Sequence, residues 1–118
     1  MTLKECYAAM GADYDAVLGR LRKEDRILKY LLKFLDDPSF ETLRQSLAAG
    51  NVEEAFRAAH TLKGVGQNLS LDRIYTTSST MAEILRGGSL EGTAPLMEQL
   101  EADYALAAEL IRGVQTDG

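Results

Sequence analysis

The sequence predicts an all-α protein: an antiparallel up-and-down four-helix bundle with extra short helices at its N-terminus. Apolar residues recur at three- and four-residue spacing through most of the chain, and no stretch shows the strict alternation of a half-buried strand. Glycine or Asp-Pro punctuates the periodic segments, leaving links so short that consecutive helices are expected to lie as antiparallel neighbours. The 118 residues make one expected domain, with the core bundle over about 24–114 and helical N-terminal segments over 1–21.

The first candidate helix, Thr2 to Met10, stops at Gly11, a suitable C-cap. Asp13 starts a second through Leu21, with Tyr14, Val17, Leu18 and Leu21 on one face and Gly19 weakening it. From Glu24 to Leu35, Ile27, Leu28, Leu31, Leu32 and Leu35 form a wide apolar stripe. Asp37-Pro38 then stops and restarts the chain: Asp37 suits an N-cap and Pro38 the first helical position of a segment to Ala48 or Ala49, faced by Phe40, Leu43 and Leu47. Gly50 ends it. Asn51, with Glu54 three residues on, opens the next helix as a variant capping box.

That next helix runs to Leu69 and holds the only histidine of the chain, His60. On a helical wheel Val52, Ala55, Ala59, Leu62, Gly66 and Leu69 share a face nearly opposite His60, so the imidazole points outward. Within about 60° of it sit Glu53, Phe56, Arg57, Lys63, Gly64 and Gln67. A glycine inside a helix costs about 0.5 to 1 kcal/mol against alanine, and here there are two. Gly64, one turn from the ring, leaves room for a bulky group on a ring nitrogen, and the ammonium of Lys63 makes that group an anion. Gly66 lies on the buried side, where it lets a neighbouring helix approach. Phe56 is either half-buried or, with Arg57, part of a docking surface.

Ser70 or Asp72 caps a further helix with Ile74, Ser78, Met81 and Leu85 in a stripe, ending at Gly87-Gly88. Its run Thr76-Thr77-Ser78-Ser79-Thr80 is read as close helix packing by small side chains, with a phosphosite as the lesser alternative. Thr93 and Pro95 open the last helix, to about Val114, with Leu96 or Met97, Leu100, Tyr104, Ala107 and Ile111 inward.

The stretch Ala59-His60-Thr61-Leu62-Lys63-Gly64, continuing through Val65-Gly66-Gln67-Asn68-Leu69, resembles the signature of histidine-containing phosphotransfer (HPt) domains. These are the His-x-x-Lys-Gly modules of two-component phosphorelays, here of a free-standing single-domain type. The helix spacing extends the resemblance over most of the chain; it departs at Ser70, where many members have glycine. The resemblance implies that His60 is the phosphorylated residue, Lys63 the partner of the phosphoryl oxygens and Gly64 the clearance. Gln67, one turn past them, is placed to hydrogen-bond the imidazole or the phosphate. It also implies two partners: a response-regulator receiver domain, bringing its aspartate, Mg²⁺ and lysine, and a sensor or hybrid histidine kinase.

Other chemistries fit poorly. One histidine without a second His or Cys at ligand spacing makes no closed metal site. Gly64-x-Gly66 follows no strand and lacks a Gly-Lys-Ser/Thr ending, so it is no nucleotide loop. Cys6, the single cysteine, sits in a remote short helix without an activating base. A net charge of −5 disfavours nucleic acid. The bunched Arg20, Arg22, Lys23, Arg26, Lys29 and Lys33 are read as a solvated face, or else as a patch aimed at an acidic protein surface.

No apolar run reaches the ~18 residues of a membrane span and the N-terminus lacks a basic region followed by an apolar stretch, so a cytoplasmic protein is expected, outside the membrane. A complete bundle of four long helices argues for a monomer. The expected function is that of a phosphorelay intermediate without autokinase activity or any bound cofactor of its own. The alternative is a helical interaction module that binds a receiver or kinase without carrying phosphate.

Overall fold

The structure, a computed structural model, describes residues 1–117, with side chains through Val114. Among these residues there are seven helices and no strand: α1 (Leu3–Met10), α2 (Tyr14–Leu21), α3 (Glu24–Asp36), α4 (Ser39–Ala49), α5 (Val52–Asn68), α6 (Asp72–Arg86) and α7 (Thr93–Asp117). The core is one continuous apolar cluster running from Leu3 and Tyr7 through Ile27, Leu31, Leu43 and Leu62 to Met81, Leu100 and Ile111. Of the two inward candidates near the start of α7, Met97 is buried and Leu96 half-buried.

The bundle has four members, but the first of them is made of two helices. Contrary to the antiparallel pairing expected from the short link, α3 and α4 do not lie side by side; α3 packs on α2 and α7, and α4 on α5. The Asp37-Pro38 break interrupts one arm instead of reversing it. Both halves meet at Tyr104 of α7, whose ring stacks on Phe40 of α4 at 4.1 Å and takes Phe34 of α3 edge-on at 5.3 Å. The Tyr104 hydroxyl donates to the Leu35 carbonyl at 3.3 Å, covering one of the orphan acceptors at the end of α3. Asp37 is extended, and its carboxylate accepts from the Ser39 amide at 2.8 Å; the helix itself starts one residue after the expected Pro38.

The close approach expected at Gly66 is between α5 and α6. A Cβ there would lie 3.0 Å from the Tyr75 amide nitrogen and 3.1 Å from its Cα, so any other residue would push the α6 backbone back by a few tenths of an ångström. On α6, Thr77 and Ser78 are buried, and Ser78 Oγ has no hydrogen-bond partner among the described residues.

Neither Ser70 nor Asp72 is the N-cap of α6; Leu71 is, and its side chain is drawn into the core. Ser70 is occupied in closing α5. It adopts φ +55, a left-handed conformation in which glycine is at ease, and the Leu71 amide donates to the Gly66 carbonyl at 2.8 Å. The capping of α5 at its other end also differs in detail. Asn51 Oδ1 accepts from the Glu54 amide at 3.1 Å, but the Glu54 carboxylate takes the Asn51 side-chain amide, because the Asn51 backbone N–H already donates to Ser46.

Candidate functional site

The site is built on α5, a helix held rigidly along both of its flanks and at its C-terminal end. Its last turn contains no basic residue of its own to offset the partial negative charge there. Arg20, from α2, supplies it: Nη1 donates to the carbonyls of Gln67 at 3.2 Å and Asn68 at 2.7 Å, and to Ser70 Oγ at 3.0 Å. Tyr7, from α1, donates its buried hydroxyl to the Leu69 carbonyl at 2.9 Å. Burial holds the Tyr7 phenol neutral, raising its ionisation well above the ordinary tyrosine range. The short N-terminal helices therefore act on the histidine helix from its end, which spacing alone does not reveal.

His60 lies near the middle of α5 with its imidazole exposed, forming no hydrogen bond or ion pair among the described residues. Its neighbour is the half-buried ring of Phe56, stacked at 5.9 Å with an interplanar angle of 26°. Of the two readings of Phe56, the structure shows the half-buried one: its body packs on the core. Across the α5–α6 seam the Arg86 guanidinium sits 5.8 Å from the Phe56 ring centroid and pairs with Glu83 at 3.3 Å. Arg86 carries no signal in the sequence, since its place depends on how closely α6 approaches.

Lys63 is half-buried on the same side as Phe56 and makes no ion pair among the described residues. Gly64 occupies the other side, and a Cβ built there meets nothing within 4 Å. The contrast with Gly66 is direct: a neighbouring backbone crowds one glycine, whereas among the described residues nothing crowds the other. Arg57, further around, pairs loosely with Glu53 at 4.0 Å and lines a groove of about 230 Å³ with Thr42 and Thr61. Gln67 is exposed two turns beyond His60, and its side chain makes no hydrogen bond to the ring; its carbonyl is the group used, by Arg20.

The arrangement presents a nucleophilic nitrogen in water, one unpaired ammonium a turn along, and open space between the ring and the next turn. Among the described residues no three His, Cys, Asp or Glu side chains gather where they could hold a metal ion, and no helix is long and apolar enough to cross a membrane.

No curated protein and no solved structure matches the chain. A family model does: that of the Hpt domain, over residues 28–110, which spans α3 nearly from its start, all of α4, α5 and α6, and most of α7. Hpt domains serve phosphotransfer relays in two-component signalling, where they interact with receiver domains and kinases. With more than half its length matched and His60-x-x-Lys63-Gly64 on the exposed face of the central helix, this chain belongs to the Hpt domain family.

Proposed function

We propose that the protein is a phosphorelay intermediate that accepts a phosphoryl group on His60 and passes it to, or takes it from, the aspartate of a response-regulator receiver domain. The observation that carries this is the open volume at Gly64, beside an exposed imidazole and an unpaired Lys63, in a chain of this family. An in-plane lone pair of neutral imidazole attacks the phosphorus of the receiver's aspartyl phosphate. The P–N bond forms as the P–O bond to the carboxylate breaks, and the aspartate leaves with that electron pair. The proton on the opposite ring nitrogen is free to pass to water.

The role of Lys63 is to place its ammonium against the equatorial oxygens, where charge spreads in the transition state. Mg²⁺ and the remaining cationic charge come with the receiver. Gly64 gives the phosphoryl group, and the receiver loop that delivers it, room to reach the ring. Phe56 limits the swing of the imidazole, so the nitrogen is oriented before the partner arrives.

The test is incubation with a phosphorylated receiver followed by intact mass. Wild type gains about 80 Da of acid-labile mass. His60→Gln gains none, and a gain on both removes His60 from the reaction. Lys63→Ala slows the transfer while leaving the thermal midpoint of the bundle in place.

A further inference from the structure

We propose that the exposed edge of α3 at Tyr30 and Lys33, with the groove it forms against the last turns of α5, is the docking shelf for the acidic face of the receiver domain. This rests on the phosphoryl-carrier function proposed for His60 and names the surface that brings the partner to it.

Tyr30 is one of two large hydrophobic side chains left exposed among the described residues, at 37%. Lys33 Nζ stands 5.4 Å from the centre of its ring, so a cation and an aromatic face are already arranged together. Both line a groove of about 130 Å³, with Phe34 and Asp37, whose opposite wall is Val65 and Asn68 of α5 and its C-cap Leu69. Around the α5 wheel, Gly64 lies at about 40° from His60 and Asn68 at about 80°, on the same side. The missing side chain at Gly64 therefore opens from the imidazole towards this groove.

Charge selects the occupant. Although the protein carries −5 overall, the exposed middle of α3 presents Arg26, Lys29 and Lys33, and the acidic residues stand at its ends, Glu24 and Asp25 before them and Asp36 after, while Asp37 at the edge of the groove has its carboxylate engaged by the Ser39 amide. Lys29 and Lys33 make no ion pair among the described residues. The other flanks of the site differ. On the α6 side Arg86 is paired with Glu83, and on the α4 side Arg57 is paired with Glu53 beside Glu54. Besides Lys63, the unpaired positive charge on these flanks of α5 is therefore, among the described residues, on α3, at the groove beyond Gly64. A partner whose reacting centre is an aspartate with a bound divalent cation presents carboxylates around it, and these meet lysines here. An aromatic side chain with a basic neighbour at a groove is also the composition that interfaces favour at their energetic centre.

The experiment titrates fluorescently labelled receiver domains from the same genome with wild type, Lys33→Glu, Tyr30→Ala and Lys4→Glu, the last being the same charge change on exposed α1. In parallel, His60 phosphorylation is read by mass after treatment with phosphoramidate and with phosphorylated receiver. Both shelf variants are expected to weaken binding at least about tenfold with an unchanged thermal midpoint, and Lys4→Glu by less than about twofold.

Binding within twofold of wild type for both shelf variants overturns the proposal, as does an equal loss in Lys4→Glu, which would reduce the effect to net charge. A concentration-dependent self-association that Tyr30→Ala abolishes also overturns it, by giving the shelf to a second copy of the chain. Shelf-dependent binding with no phosphate on His60 leaves the shelf standing and removes the relay. Phosphate on His60 with shelf-independent binding does the reverse.

Discussion

Gly64 and Gly66 sit two residues apart in one helix, and alanine at each should move stability in opposite directions. In an exposed helix interior, Gly→Ala gains about 0.5 to 1 kcal/mol from the reduced freedom of the unfolded chain and better helix propensity. At Gly64 nothing lies within 4 Å of the new methyl, so Gly64→Ala should keep that whole gain. At Gly66 the methyl would stand 3.0 Å from the Tyr75 nitrogen, and α6 must shift to admit it. Overpacking of this kind costs about 1 to 3 kcal/mol, which turns the same gain into a net loss of roughly 1 kcal/mol.

The separation between the two variants is then roughly 2 kcal/mol, about a 30-fold difference in the folding equilibrium. Urea titration followed by far-UV circular dichroism resolves this, because even the smaller gain shifts the midpoint by about 0.2 to 0.5 M. Gly19→Ala provides a third point: Gly19 also has nothing within 4 Å, so it should match Gly64→Ala in stability. Only the Gly64 position should affect phosphoryl transfer, with Gly64→Leu retaining the fold and losing the reaction. Equal stability of Gly64→Ala and Gly66→Ala would refute the close-approach argument. Normal transfer by Gly64→Leu would refute the clearance argument.

Three further outcomes are expected. Ser78→Ala removes a buried hydroxyl without a partner and should raise stability by about 1 kcal/mol in the same titration; a loss of similar size would show that the hydroxyl is bonded. Arg20→Ala should cost about 1 kcal/mol, less at high salt because Arg20 is exposed, and should speed amide exchange specifically in the last turn of α5. Burial raises the ionisation of Tyr7 and of Cys6, so the folded state holds protons that the unfolded chain releases. That stability is fully present below their ordinary values of 9.0 and 10.0 and is lost as pH rises past them. The denaturation midpoint should fall between pH 9 and 11, and Tyr7→Phe, less stable at neutral pH, should show a flatter decline.

Local periodicity was enough to read the helices, the outward face of His60 and the difference between Gly64 and Gly66, because each depends on residues within a turn or two. Features that depend on distant parts of the chain were not legible. Arg20 meets the Gln67 carbonyl across 47 positions and Tyr7 meets Leu69 across 62, and nothing in either segment announces the other. The link at Asp37-Pro38 departs from its sequence expectation for a related reason. A short proline-containing break fits a reversal and a bend equally well; what decides is the Tyr104 ring, 66 positions beyond Pro38, filling the angle between Phe34 and Phe40. At Ser70 a residue type suited to starting a helix was used to finish one, since burying Leu71 left no freedom to do otherwise.

The matched segment starts at residue 28, yet the two side chains that finish α5, Tyr7 and Arg20, precede it. Anyone transplanting this module into a synthetic circuit and cutting at the family boundary would strip three carbonyls of their side-chain donors at one end of the histidine's own helix. The portable unit is larger than the recognisable one, and it begins with the first helix.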